Sequence, residues 1–285
     1  MKTYLILVPV YNEENNILRF LYNLINFIDF KTDRVLLIDD DSKDNTKSIL
    51  NKFLKDLDDL KISFKNKIDI IFNSKNLGYG SNILKGMEYF INSNIDFLIT
   101  IDCDFQHLVS YINIFKSLSY KYNFITGSRY SINSIKLSEI NFYRYLINKK
   151  MIEFLKFYFK DFKYKVTDFF CGFRLYSNDI IKKIFYNLKN KETELNGFSY
   201  EFPIFLWIEL LKLKELKLKE LPIPYIFFHQ RNFKGNKSVI LKDHYQRIIE
   251  YINIFIKEIK KNYKLSKIIK GNIIMKRNNI GEGVV

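Results

Sequence analysis

Short apolar runs alternate with longer amphipathic stretches through the first 130 residues, and that alternation restricts the chain to few folds. YLILVPV, RVLLIDD, IDIIFN, DFLITID and YNFITGS are each short, rich in strand-forming residues and bounded by polar or turn residues. Between them NNILRFLYNLINFI, DNTKSILNKFLKDL and SNILKGMEYFI place apolar residues at helical spacing. Such alternation builds βαβ units and predicts an α/β fold, a mostly parallel sheet flanked by helices. Ligands in these sheets bind beyond the carboxyl ends of the strands. Three polar motifs fall there: VPVYNEE, IDDDSKDNT and ITIDCDFQH.

The last motif raises a question of charge. If the strand stays extended, Asp102, Asp104 and Gln106 share one face, because alternate residues of a strand point the same way. Carboxylates crowded together repel unless a cation lies between them. A calcium loop of the EF-hand type would need glycine at its sixth position and glutamate at its twelfth, where His107 and Asn113 stand. Zinc is no better served, since Cys103 falls on the opposite face and His107 is alone. Oxygen donors suit Mg²⁺ or Mn²⁺, ions that commonly bridge carboxylates to substrate phosphates.

In IDDDSKDNT, Ser42 or Asp44 can cap the following helix, which leaves the consecutive aspartates 39–41 unexplained. A carboxylate at a strand end can accept hydrogen bonds from a nucleobase N–H or from ribose hydroxyls. NLGYGSNILKG puts two glycines before a helix. It lacks the Gly-Lys-Ser/Thr of a P-loop and is not a GxGxxG fingerprint, so its glycines serve a tight turn beside the site.

Composition sets outer bounds. With 285 residues, 47% hydrophobic and 27% charged, the chain is globular with ample core. The formal charge of +15 favours acidic partners: phosphorylated substrates, an anionic membrane surface or nucleic acid. Nucleic acid is disfavoured because the basic residues are spread through helices and no recognition motif occurs. Two cysteines and a start without a signal-peptide pattern suggest a reducing, cytoplasmic setting. No window offers the roughly 18 uncharged apolar residues of a spanning helix.

Beyond residue 138 the pattern changes. SEINFYRYLINKKMIEFLKFYF has an apolar helical stripe at 140, 143, 147, 151, 154, 155 and 158, with further aromatics off the stripe. Phe142, Tyr145, Leu146, Phe154, Phe157 and Phe159 beside Lys149, Lys150, Lys156 and Lys160 compose a candidate membrane-surface helix over 138–160. HYQRIIEYINIFIKEIKK predicts an amphipathic helix, and the last residues are basic and weakly patterned. The expected organisation is a domain over 1–240, an amphipathic helix over 241–262 and a basic tail over 263–285.

VPVYNEE, DDDS, NLGYG, DCDFQH, GSRY, DFFCGFRLY and a late arginine before Gly-Asn-Lys-Ser together resemble glycosyltransferase family two. DxDxQH with GSRY and D-x-x-x-GFR is most similar to its polyprenyl- and dolichyl-phosphate hexose synthases, the dolichyl-phosphate mannosyltransferase-like branch. The resemblance runs from residue 4 to about 238 and implies a GT-A, Rossmann-like domain that binds a nucleoside diphosphate sugar. It implies that Pro9, Tyr11, Glu13 and Asp40 contact the nucleoside, and that Asp102, Asp104 and Gln106 surround Mg²⁺ or Mn²⁺ on the diphosphate. It further implies that Arg129 and Arg144 meet the acceptor phosphate, while Arg231 and Lys237 lie on a loop over the donor phosphates.

The implied reaction transfers a hexose, from GDP-mannose or UDP-glucose, to a polyprenyl phosphate with inversion. The implied location is peripheral, on the cytoplasmic face of a membrane, reached directly or through an anchoring protein. A phosphate acceptor is already anionic and needs no protein base. The rival is a family-two transferase acting on a sugar hydroxyl, for which Glu201 or Asp168 would be the base. The chain departs from the family in RNFKGNKS, where Lys and Ser are exchanged and one residue is added. It also departs at Asn82, Leu108, Cys171 and Pro203.

Overall fold

A computed structural model gives the structure of the protein and describes residues 1–60, 64–135, 142–159, 162–198 and 201–224, and Asn253 singly. Arg231, Lys237 and the segments 241–262 and 263–285 lie outside the described residues, Asn253 excepted. The chain divides into a unit from Met1 to Arg231 and another from Asn232 to Val285, and the sheet with its flanking helices belongs to the first.

The expected alternation is present. In chain order come β1 (Tyr4–Val10), α1 (Ile17–Phe27), β2 (Asp33–Asp39), α2 (Thr46–Asp59), β3 (Ile68–Phe72), α3 (Tyr79–Ile91) and β4 (Phe97–Thr100). Then follow α4 (Tyr111–Leu118), β5 (Phe124–Ser128), α5 (Phe142–Tyr158), β6 (Arg174–Ser177), α6 (Asn178–Leu195), α7 (Phe202–Leu211) and β7 (Leu218–Pro222). The strands form one seven-stranded sheet in the order β3-β2-β1-β4-β6-β5-β7. All neighbours pair in parallel except β6, which runs antiparallel to both β4 and β5.

The core follows from burial on both sheet faces. Leu5, Ile6, Leu7 and Val8 are consecutive in β1 and all fully buried, so this strand reads as a continuous apolar run rather than an alternation. Phe20, Leu21 and Leu24 of α1 and Leu50 and Phe53 of α2 close over it. Leu84, Met87 and Phe90 of α3 are likewise buried. The helix start after IDDDS differs from expectation. Asn45 stands at the N-cap of α2 without a side-chain cap bond, and Ser42 is turned to accept the Asn12 N–H instead. Asp44 does accept the Thr46 N–H at 3.0 Å, in an Asx turn.

Register places the functional motifs. Val10 is level with Asp39 across β1 and β2, whereas β4 ends at Thr100 opposite Leu7, so the segment after β4 begins alongside the last residues of β1. Arg174 pairs with Thr100 on one side and Thr126 on the other. Because β6 is antiparallel, the residues entering it arrive at the edge where β1, β2, β4 and β5 leave. Residues 168–173 therefore join the other motifs.

The helix over 142–158 has a narrower inward face than its stripe suggested. Met151, Ile152 and Leu155 are buried, with Asn148 between the helix and the following loop. Phe142, Tyr145, Leu146 and Phe157 are exposed, the last at 78%, while Phe154 and Phe159 are half-buried. Residues 136–141 and Lys160 lie outside the described residues.

One close approach is testable. Gly86 of α3 packs on Leu7, and a Cβ there would overlap the Leu7 side chain, which is fully buried in a central strand. Alanine would favour the helix by roughly 0.5–1 kcal/mol over glycine, but overpacking costs about 1–3 kcal/mol. Gly86→Ala should therefore lower the urea midpoint with little change in slope; a raised midpoint would show that Leu7 yields freely.

Candidate active site

Three clusters meet at the carboxyl edge. The first knits the loops after β1 and β2. Asn12 and Asp41 both adopt left-handed backbone, with φ of 54° and 59°. Asn12 Oδ1 accepts the Lys43 N–H at 2.8 Å, Thr46 Oγ1 accepts the Glu13 N–H at 2.8 Å, and Glu14 Oε2 accepts the Asn45 N–H at 2.9 Å. Glu13 is buried and accepts from Asn16 Nδ2 at 2.7 Å, whereas Tyr11 is 45% exposed and Pro9 half-buried.

Asp40 is 3% exposed and already engaged. Its Oδ1 accepts from Asn73 Nδ2 at 2.9 Å and from the Leu77 N–H at 2.8 Å, and its Oδ2 accepts from the Gly78 N–H at 2.9 Å. Asn73 also donates to Asn82 Oδ1 and receives Lys85 Nζ, each at 2.7 Å. Asp40 thus anchors the glycine-rich turn, with Gly78 at φ 90°. Asn82, where the chain departs from the family, bonds back to Gly78 O at 2.9 Å and belongs to the same network.

The second cluster follows β4. The extended geometry expected of ITIDCDFQH is not what the chain adopts: β4 stops at Thr100, residues 103–107 bend, and Phe105 sits at φ 60°. Asp102, Asp104 and Gln106 are therefore carried on a bent loop and not on alternate positions of a strand. The bend is held by Asp104, whose carboxylate accepts the Gln106 backbone N–H at 3.1 Å and its side-chain amide at 2.8 Å. Asp102 retains 31% side-chain exposure. Gly172 lies against it: a Cβ there would fall 2.7 Å from both Asp102 Oδ2 and Tyr79 Oη, so the bare glycine leaves room for these two polar groups.

Among the described residues no three side chains of His, Cys, Asp and Glu form a ready-made metal cage. Two carboxylates and an amide are a hard, incomplete donor set, which fits Mg²⁺ or Mn²⁺ sharing its coordination with a diphosphate. The thiol is withheld. Burial pushes the Cys103 thiol well above its ordinary value. Burial, and then the charge of Arg129, lowers His107 to about 4, so the imidazole is neutral at neutral pH. His107 Nε2 lies 4.0 Å from Asp102 Oδ2, and its Nδ1 is buried without a partner.

The third cluster holds GSRY. Arg129 donates from Nε to Asp168 Oδ2 at 2.7 Å and from a terminal nitrogen to Oδ1 at 3.0 Å, and its backbone N–H also reaches Oδ2 at 3.0 Å. Asp168 is fully buried. Burial alone would raise its carboxyl, but the Arg129 guanidinium holds it below the usual carboxylate range. Arg129 is thus a fork fixed by Asp168. Arg144 is half-buried on α5.

Several participants carried no signal in the sequence. Tyr79, Asn73 and Gly172 sat within or beside recognised motifs without a role. Thr167 and Glu220 are separated from partners by an element or more, and Asn148 reaches the loop that follows its own helix.

The chain matches the glycosyl transferase family 2 description over residues 5–185. It belongs to glycosyl transferase family 2. It is accordingly an enzyme, a glycosyltransferase. An uncharacterized protein of Methanocaldococcus jannaschii is 36% identical over 102 residues, 35% of this chain and 40% of that one. A UDP-N-acetylglucosamine–dolichyl-phosphate N-acetylglucosaminyltransferase of Methanococcus voltae is 25% identical over 82% of this chain and 90% of its own. Glucosyl-3-phosphoglycerate synthase from Mycobacterium tuberculosis, crystallised with Mn²⁺, UDP and glucosyl-3-phosphoglycerate, superposes with a TM-score of 0.58 at 11% identity. That match covers 89% of this chain and 80% of the synthase, and shares the GT-A fold.

In this glycosyltransferase, Asp168→Asn should be severely destabilising, because it leaves a buried guanidinium without its counter-charge, at about 3–5 kcal/mol. The sign with pH follows from the depressed carboxyl. Its contribution is present above the ordinary carboxylate value near 3.9 and is lost as pH falls through the lower folded value. Urea unfolding at successive pH values should show the wild-type advantage shrinking only in strong acid. An advantage that instead vanished between pH 6 and 5 would contradict the pairing.

Proposed function

We propose that this glycosyltransferase moves a hexosyl group from a nucleoside diphosphate sugar to a polyprenyl phosphate. The observation that carries the reading is the pairing of two functions on one sheet edge. The carboxylates Asp102 and Asp104 stand on the loop after β4, and the Arg129 fork stands on the loop after β5. The first suits a metal-bound diphosphate and the second an anionic acceptor. The name of the Methanococcus voltae relative supports both classes of substrate, and the synthase bound to UDP supports the nucleotide donor.

Tyr11, half-exposed at the end of β1, and the loop anchored by Asp40 would receive the nucleoside, with Pro9 and Glu13 shaping that wall. Asp102, Asp104 and Gln106 would hold Mg²⁺ or Mn²⁺. The chemistry supplied by the cation is neutralisation of the charge that develops on the leaving diphosphate. Arg129, with Arg144, would orient the acceptor phosphate for in-line attack at the anomeric carbon, and a guanidinium already fixed by Asp168 loses little entropy in doing so. Arg231 and Lys237 are proposed to reach the donor phosphates. Asp168 is ill suited to serve as general base toward a hydroxyl, being fully buried and held ionised by Arg129. A phosphate monoester acceptor requires no such base.

Transfer is tested by incubating the protein with labelled UDP-N-acetylglucosamine, UDP-glucose or GDP-mannose, polyprenyl phosphate and Mn²⁺, then extracting the lipid. Label in the organic phase is the expected result, and label appearing only in water-soluble glycan would overturn the acceptor class. Asp104→Asn should weaken Mn²⁺ binding read by electron paramagnetic resonance and abolish turnover while the fold survives. Full wild-type activity in EDTA would sink the metal assignment.

We also propose that the enzyme works at the cytoplasmic surface of a membrane, where its lipid acceptor resides. Among the described residues no helix is long and apolar enough to cross a bilayer. The outer side of α5 exposes Phe142, Tyr145, Leu146 and Phe157 beside Lys149, Lys150 and Lys156, and the loop after β5 exposes Ile132 and Ile135. Apolar rings with neighbouring lysines suit an interface rich in anionic lipid, each lysine adding about 1 kcal/mol near the surface. Binding to anionic vesicles should weaken with salt and fall in Phe142→Ser/Phe157→Ser. Equal sedimentation with neutral and anionic vesicles would remove the electrostatic part, and no binding would leave attachment to an anchoring protein.

A further inference from the structure

We propose that Glu220 is a positioning residue for glycosyl transfer, acting through Thr167 and Asp168 to hold the Arg129 guanidinium in place. The proposal rests on the reading of Arg129 as the acceptor-binding cation. Glu220 lies on β7, at the sheet edge remote from the metal-binding loop, and touches none of the reacting groups proposed above. Its carboxylate nonetheless gathers three donors from the loop that carries Asp168. Oε1 accepts the Thr167 N–H at 2.7 Å and the Asp168 N–H at 3.0 Å, and Oε2 accepts the Thr167 hydroxyl at 2.6 Å. A carboxylate gripping two successive backbone N–H groups fixes the peptide that aims the Asp168 side chain.

The grip is matched from the opposite side. Asn148 of α5, buried, donates to Thr167 O at 2.6 Å and accepts the Phe169 N–H at 2.7 Å. Residues 167–169 are thereby clamped between an edge strand and a helix. Asp168 then holds Arg129 through its backbone and its guanidinium together.

A second chain reaches Arg129 from the strand side. The Ser128 and Thr167 hydroxyl oxygens are 2.6 Å apart, and Ser128 Oγ accepts the Tyr130 N–H at 3.2 Å and the Ser131 N–H at 3.0 Å. Since Thr167 spends its proton on Glu220, its oxygen is left to accept from Ser128. The donors then run in one direction, from the backbone of 130–131 through Ser128 and Thr167 to Glu220. The Glu220 carboxylate thus terminates a hydrogen-bonded chain that runs beside Arg129. A carboxylate placed merely to stabilise an edge strand would not need to take three donors from the segment that carries Asp168.

The test pairs a substrate-free measurement with kinetics. In ¹⁵N-arginine protein, the Arg129 Nε–H resonance, assigned by its loss in Arg129→Lys, should be protected from exchange in the wild type and in Glu220→Gln. Glutamine keeps the oxygen that accepts the two backbone N–H groups. Glu220→Ala should lose that protection and lower kcat/KM for polyprenyl phosphate by roughly tenfold to a hundredfold, leaving the donor KM within about twofold. In an Arg129→Ala background the same substitution should add nothing. An unchanged Arg129 resonance in Glu220→Ala, or a loss that multiplies with Arg129→Ala, overturns the proposal. If the wild type transfers nothing to polyprenyl phosphate, the acceptor reading fails on its own, and the Arg129 resonance alone decides whether Glu220 holds the guanidinium.

Discussion

The antiparallel β6 is the constraint on which the arrangement depends. A purely parallel sheet would deliver only outgoing strands to the carboxyl edge, and every functional residue would have to follow a strand. Inserting β6 between β4 and β5 brings an incoming segment to the same edge. The consequence is local and chemical. Gly172 comes to lie against Asp102, and Asp168 comes within reach of Arg129. The pairing of Arg174 with both Thr100 and Thr126 fixes how far those residues project beyond the strands.

Concentrating charge at one edge is costly, and the protein offsets the cost differently at each motif. Asp40 is satisfied by backbone N–H groups of the turn it organises, an arrangement that stabilises the anion without another formal charge. Asp168 is satisfied by a guanidinium, whose forked geometry is worth the desolvation only because two parallel bonds form. Asp102 and Asp104 are left partly exposed. That distribution is itself informative, because acidic groups used to build structure become buried and saturated, whereas those used on a ligand keep accessible oxygen.

Legibility in the sequence followed the range of the interactions. The strands of the first half were legible because their apolar runs are contiguous and their helices amphipathic, and both signals are local. The placement of VPVYNEE, IDDDS and DCDFQH at strand ends followed directly. The conformation of DCDFQH was not legible, because the bend depends on Asp104 accepting two bonds from Gln106 and on Phe105 taking a left-handed φ. Neither requirement announces itself in the residue types, since phenylalanine is a poor predictor of positive φ. The partners of Arg129 were hidden for a different reason. Asp168 is 39 residues away in sequence, and Glu220 is a further 52 from Asp168, so only the sheet order makes them neighbours. β6 is four residues long and begins with a buried arginine, a pattern that no strand periodicity would select.

The same separation explains why the site can be both rigid and adaptable. Arg129 is fixed by elements on the β5–β7 side of the sheet, Asp40 by the turn preceding α3, and the Asp102–Gln106 loop by the Asp104–Gln106 bonds and by Phe105 packing on Phe20. These supports share few hydrogen bonds, so a change in the turn around Asp40 need not disturb the Arg129–Asp168 fork. The loop after β4 is the exception. Gly172 enters from the β6 side and leaves Tyr79 and Asp102 facing the same small space. A side chain at that position would push on Tyr79 at the start of α3 and on Asp102 in the loop after β4 at once. Gly172 is therefore a point at which the loop after β4 and the segment that holds Asp168 are mechanically joined, and its bareness matters more to coupling than to the flexibility usually credited to glycine.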